Sequence, residues 1–200
     1  MRTKTRPGCL SSRVMCTLLL GATLAACSVE ESIDRNFNQS NRYSTLLSQI
    51  DLNAPSSVAT LSGEATYNGV AFVDFADGQF TGNADAQLVA DFDTDTIEGQ
   101  LTGWEDADPV NFVLDGQILL RNGTIDDDGE LSMSMTGSIE RTAREAGAVT
   151  VSPTLLQLEG GATGQIYDSV TGDEAALLRG SLDGLDRQGR VVDGDFVASQ

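Results

Sequence analysis

The groups with which this sequence could do chemistry are carboxylates. Asp91, Asp93 and Asp95 make a D-x-D-x-D run, and Asp126, Asp127, Asp128, Gly129 and Glu130 make a denser one. Glu105, Asp106 and Asp108 precede Pro109 in a third. Alternating aspartates suggest calcium, but an EF-hand loop starting at Asp91 would need glycine at Thr96 and glutamate at Thr102. The first run therefore reads as a solvated hairpin tip. In the second, Asp126, Asp128 and Glu130 form a weak calcium candidate, and Asp128-Gly129 is a turn in its own right. The sequence has no histidine, so the commonest general base and metal ligand is missing. It has no serine in a nucleophile elbow. No catalytic constellation emerges, so neither an enzyme nor a cofactor is expected.

The remaining reactive side chains are Cys9, Cys16 and Cys27. Arg2, Lys4, Arg6 and Arg13 precede an apolar run from Val14 to Leu24, which is too short for the roughly 20 residues a spanning helix needs. A basic segment, a short apolar core and small residues make an export leader. The leader ends Leu24-Ala25-Ala26-Cys27, which resembles the lipobox of bacterial lipoproteins, where diacylglycerol is transferred to the cysteine sulfur before cleavage. Cys16 is a poor rival, because Arg13 occupies the leucine position and no apolar core precedes it. Ser28 follows the cysteine, where aspartate would favour inner-membrane retention, so the expected destination is the outer membrane, on its periplasmic or its surface side. Several acyl chains, at about 0.8 kcal/mol per buried methylene, make a durable anchor. Removing residues 1–26 takes four basic residues and no acidic ones, leaving a formal charge of −22. Such a chain will not bind nucleic acid through its field.

Residues 27–57 are expected to be a lipidated tether with a short helix. Residues 28–41 are polar and read as flexible, with only Val29, Ile33 and Phe37 apolar. Tyr43, Leu46, Leu47 and Ile50 then fall on one helical face, which should pack across one end of the following domain. From 58 to 200 the period becomes two. Leu131, Met133, Met135, Gly137 and Ile139 alternate with Ser132, Ser134, Thr136, Ser138 and Glu140, and the same alternation runs through 80–92. Asp77-Gly78, Asn122-Gly123, Asp128-Gly129, Gly172-Asp173 and Gln188-Gly189 punctuate the strands, and Asn68-Gly69 could divide the first. Eight strands are predicted, near 59–75, 79–92, 96–104, 109–121, 130–140, 154–167, 175–184 and 190–199. With no helix between them, an all-β, eight-stranded antiparallel up-and-down barrel is the fold that leaves no edges. Outward charges such as Asp85, Glu98 and Asp195 suit water rather than a narrow lumen. Leu88, Leu101, Leu131, Met133, Leu158 and Phe196 should therefore point inward.

Three strings carry a family resemblance: Gly63-Glu64-Ala65-Thr66-Tyr67-Asn68-Gly69, Leu88-Val89-Ala90-Asp91-Phe92 and Ile97-Glu98-Gly99-Gln100-Leu101. With Gly164-Gln165-Ile166-Tyr167, Leu178-Arg179-Gly180-Ser181-Leu182 and Asp195-Phe196-Val197-Ala198, they resemble the barrel domain of transferrin-binding protein B-like lipoproteins. The resemblance implies a lipid-anchored barrel that in some members captures host iron proteins. Those members have two lobes with handle domains and long loops. This chain has one barrel with short loops, and Asp168 stands where the family has glycine, so transferrin capture itself is not expected.

Two functions remain open. One is an anchored, non-catalytic module that captures a protein or a nutrient or iron carrier. The other is a lipocalin-like carrier holding a small apolar ligand among the inward glycines. For the first, the expected partner surface is a rim of Trp104, Glu105, Asp106 and Asp108 with Asp126, Asp127, Asp128 and Glu130, joining the single tryptophan to dense charge suited to a basic partner.

Overall fold

The computed structural model describes the backbone of residues 14–145, 148–149, 154–169 and 171–200, and side chains from 29 onward except 145 and 148–149. Arg2, Lys4, Arg6, Arg13 and the side chain of Cys27, on which the expected export leader and lipidation rest, lie outside the described residues. The elements are α1 (Val14–Ile50), β1 (Glu64–Phe75), β2 (Phe80–Asp91), β3 (Thr96–Asp106) and β4 (Phe112–Ile125). They continue with β5 (Glu130–Glu145), β6 (Ala148–Val149), β7 (Thr154–Tyr167), β8 (Leu177–Asp186) and β9 (Val191–Ser199).

The eight long strands pair antiparallel with their sequence neighbours, and β1 pairs β9 to close an up-and-down barrel. The two-residue β6 only extends β5 in a side hairpin. Alternation does what a pleat requires. Leu88, Leu101, Leu131, Met133, Leu158 and Phe196 are all buried, while the residues between them face outward. The interior is filled. Tyr67, Phe75, Phe196, Ile97 and Met135 are among its largest buried side chains, and the Tyr67 hydroxyl donates to the Ala175 carbonyl at 2.7 Å. The inward glycines make room for neighbours: a Cβ on Gly180 would overlap the Phe196 ring, and one on Gly82 would lie 2.7 Å from Leu114 Cδ1. No helix among the described residues is long and apolar enough to cross a membrane.

Two of the expected turns are not turns. Asn122-Gly123 lies inside β4, where Asn122 takes φ +53° and the register slips against both β3 and β5. The extra residue is a bulge, which a left-handed asparagine followed by glycine accommodates. Asn68-Gly69 does not divide β1, because both residues pair with β2 and β9. The turns at 77–78, 128–129, 172–173 and 188–189 fall between strands as expected.

Larger corrections concern the N-terminal segment. Residues 28–41 belong to α1, whose docked face is fixed by side chains that hydrogen-bond the barrel. Composition reported their polarity correctly, but that polarity is satisfied by the wall as well as by water. The helix also lies along the outside of the barrel and does not cross its end. Its apolar stripe, Leu46 and Ile50 with Tyr43 and Leu47, packs on Leu177 and Val197. It stops where Asn53 Nδ2 donates back to the Gln49 carbonyl and Pro55 follows. Residues 55–63 then cover one barrel mouth, which we call end A. Ser56 N donates to Ile166 O, Val58 N donates to Asp127 O, and Val58 joins the core.

Candidate functional site

In an up-and-down barrel successive connections alternate between the two mouths. End A carries the β2–β3, β4–β5 and β7–β8 connections, and end B carries β1–β2, β3–β4, β5–β7 and β8–β9. The expected rim therefore cannot exist as one surface. Trp104 to Asp108 lead into the β3–β4 loop at end B, whereas Asp126 to Glu130 form the β4–β5 tip at end A.

The end B half is also buried, contrary to expectation. Trp104 is only 4% exposed and stands edge-on to Phe75, with ring centres 5.5 Å apart. Its Nε1 finds no acceptor among the described residues. Asp106, 2% exposed, pairs with Arg141 at 2.7 Å, and that guanidinium lies over the rings of Phe112 and Phe80. Glu105 is covered by α1: it accepts from the Ser32 hydroxyl and faces Arg35 at 3.9 Å. Burial pushes its carboxyl up, against Ser32 and Arg35. The three consecutive buried positions arise at a bulge. Gly103 has φ +63°, the β2–β3 register shifts between Asn83 and Asp85, and Trp104 turns inward while Glu105 meets the helix. A Cβ on Gly103 would overlap the Arg35 guanidinium, so the glycine also admits the helix. These residues close a barrel mouth and seat α1. Of this group only Asp108 borders an exposed turn, where it accepts from Asn111 Nδ2 at 2.9 Å.

At end A, Asp126 Oδ1 accepts from the backbone N–H groups of Asp128 and Glu130, so the tip holds its own turn. Among the described residues no three acidic, histidine or cysteine side chains are grouped to hold a metal ion, which counts against the calcium candidate of Asp126, Asp128 and Glu130. Two of its members, Asp126 and Glu130, instead border a groove of about 760 Å³ in the outer wall of β5, β7, β8 and β9. Its floor is made of short hydroxyl side chains, Ser132, Thr163 and Ser181, with the Thr163 and Ser181 oxygens 3.3 Å apart. Its walls carry Arg179, Asp195 and Tyr167. Arg179 reaches Asp51, just beyond α1, at 3.5 Å with both groups solvated. Burial and then Asp195 push the neighbouring Tyr43 phenol up, against Arg179. Among the described residues no hydroxyl lining the groove hydrogen-bonds a carboxylate, and Thr163 pairs instead with Ser181. It offers hydroxyls, three carboxylates and one guanidinium, groups that can exchange hydrogen bonds and ion pairs.

Sequence reading missed Arg179, Asp195, Thr163 and Ser181. Their outward parity was visible in the alternation of β7, β8 and β9, but their adjacency depends on register, which pairs Thr163 with Ser181 and Ser181 with Asp195.

No family model and no curated protein matches the sequence. Among solved structures, the chain is similar to a crystal structure of the vaccine antigen transferrin-binding protein B, a point mutant from Haemophilus parasuis Hp5. The TM-score is 0.38 at 18% identity, covering 73% of this chain and 28% of that one. The chain spans little more than a quarter of that protein's length.

Proposed function

We propose that the chain is a lipid-anchored, non-catalytic binding module of the bacterial outer membrane, held through Cys27 and presenting a partner site on its outer wall. The observation that carries this reading is the filled barrel. Lipocalin-like carriers share the fold, but there the ligand needs a lumen, and Phe196, Tyr67, Phe75 and Met135 occupy it here. Recognition then falls to the outer surface, where a rigid wall positions side chains more precisely than loops would. The end A groove favours a protein partner with basic and hydroxyl-bearing groups, because Asp126, Glu130 and Asp195 outnumber Arg179.

A photo-crosslinking amino acid at Ser181, on the groove floor, should trap a partner in intact cells, while one at Gln117, on a different part of the wall, should not. Glu130→Gln with Asp195→Asn should abolish the crosslink, and added salt should weaken it. A crosslink that survives both changes, or that forms only at Gln117, would refute the site. Turnover of any substrate would refute the non-catalytic reading.

A further inference from the structure

We infer that end B faces the membrane and end A points away from it, so that the docked helix mounts the barrel in one orientation. This rests on the reading of Cys27 as the acylated anchor, and three observations on the described residues support it.

The first is where α1 emerges. Ser32 and Asn36 hydrogen-bond Glu105 and the Asp106 carbonyl at the end B terminus of β3, while Ile50 packs on Leu177 and Val197 at end A. The helix runs unbroken through Cys27, five residues before Ser32, or roughly 7.5 Å along the axis. The anchor therefore leaves the barrel at end B, roughly one and a half turns beyond the last docking contact. A flexible stretch from 28 to 41 would let the barrel tumble; a docked helix does not. Arg35 Nη2 to Asp85 at 2.7 Å, Gln39 Nε2 to Gly103 O at 3.1 Å and Arg42 Nη2 to Asn68 O at 2.9 Å hold it along its length.

The second is charge. The end A connections hold two carboxylates in 92–95, three in 126–129 and three in 168–176, with no basic residue among them. The end B connections hold two carboxylates, Asp77 and Asp108, against two arginines, Arg187 and Arg190, and among the described residues Arg187 makes no ion pair. An anionic headgroup layer repels the first mouth and tolerates the second.

The third is apolar exposure. Val110, Leu155 and Val191 stand at end B, 51%, 57% and 42% exposed. At end A the exposed Leu52 sits beside Asp51. The occupant of end B is accordingly a phospholipid surface, and the groove bounded by Asp126 and Glu130 is the part presented outward.

The test uses the full chain, expressed and processed in bacteria. The processed chain has no thiol other than the acylated one, so Val110→Cys and Asp127→Cys each introduce a single labelling site. Each variant, carrying an environment-sensitive fluorophore, is placed in vesicles of phosphatidylethanolamine and phosphatidylglycerol with brominated acyl chains. Quenching at position 110 should exceed that at position 127 several-fold, and Arg35→Ala with Gln39→Ala should reduce the difference by freeing the helix. Equal or reversed quenching with an acylated N-terminus by mass spectrometry overturns the orientation and leaves the anchor standing. An N-terminus at Cys27 without acyl chains overturns both.

Discussion

Asp106 and Asp186 show how carboxylates that look like surface charge become structural. Each lies at the end B terminus of its strand beside an arginine: Asp106 with Arg141 at 2.7 Å, Asp186 with Arg190 at 2.6 Å. Removing one partner of a buried pair leaves an uncompensated charge. Asp106→Ala should therefore lower unfolding stability by about 3 kcal/mol in urea titrations. Replacing both partners, Asp106→Leu with Arg141→Met, should recover much of that loss. For Asp186, burial pushes the carboxyl up, but the N–H groups of Arg190 and Gln188 and the Arg190 side chain hold it below the usual range. A depressed carboxyl stabilises the fold above the unfolded-state value and loses that contribution as pH falls. Stability should therefore drop as pH passes below about 4, and Asp186→Asn should flatten that limb of the pH profile while lowering stability at neutral pH.

At the level of elements, α1 is held by two different kinds of contact. Its last two turns bury Leu46 and Ile50, whereas residues 32–42 dock almost wholly by hydrogen bonds and ion pairs. Asp85 is central to the polar half, accepting from both Arg35 and Gln39. From the sequence, Asp85→Leu on the outer face should be mild. For global stability it still should be, since the Arg35–Asp85 pair is about half exposed and such pairs contribute about 0–1 kcal/mol. The local consequence should be larger. Hydrogen exchange should speed up across 29–42 in Asp85→Leu while the strand amides keep their protection. Unchanged exchange in that segment would mean that the backbone contacts at Gly103, Asp106 and Asn68 suffice.

For the whole molecule, the closed barrel is one cooperative core, and its inside-out alternatives can be separated by mutation. Leu131→Asp places an unpaired charge among buried side chains and should abolish folding. Gly180→Leu keeps the apolar character but collides with Phe196, so it should destabilise by about 1–3 kcal/mol or more through overpacking. A spacious lumen would tolerate the second change, so circular dichroism melts of the two variants measure how full the barrel is.

The sequence by itself determined the strands, their inward faces and the barrel. Two-residue periodicity is a local pattern, and short connections between long strands leave few ways to satisfy every edge. The basic and apolar N-terminal run and the Leu24-Ala25-Ala26-Cys27 string are likewise features of linear sequence. The register was not legible, and the site depends on it. Thr163, Ser181 and Asp195 meet only because three strands align at those positions. Loop parity was available in principle, since connections of an up-and-down barrel alternate mouths, and applying it separates Trp104–Asp108 from Asp126–Glu130. The fate of polar side chains was not. Glu105, Asp106 and Gln39 look solvated in composition, yet they are buried because partners from distant elements, Ser32, Arg141 and the Gly103 carbonyl, replace water. Hydrogen-bond satisfaction across long sequence separations is a property of the tertiary arrangement, and it turned an expected tether into a docked helix.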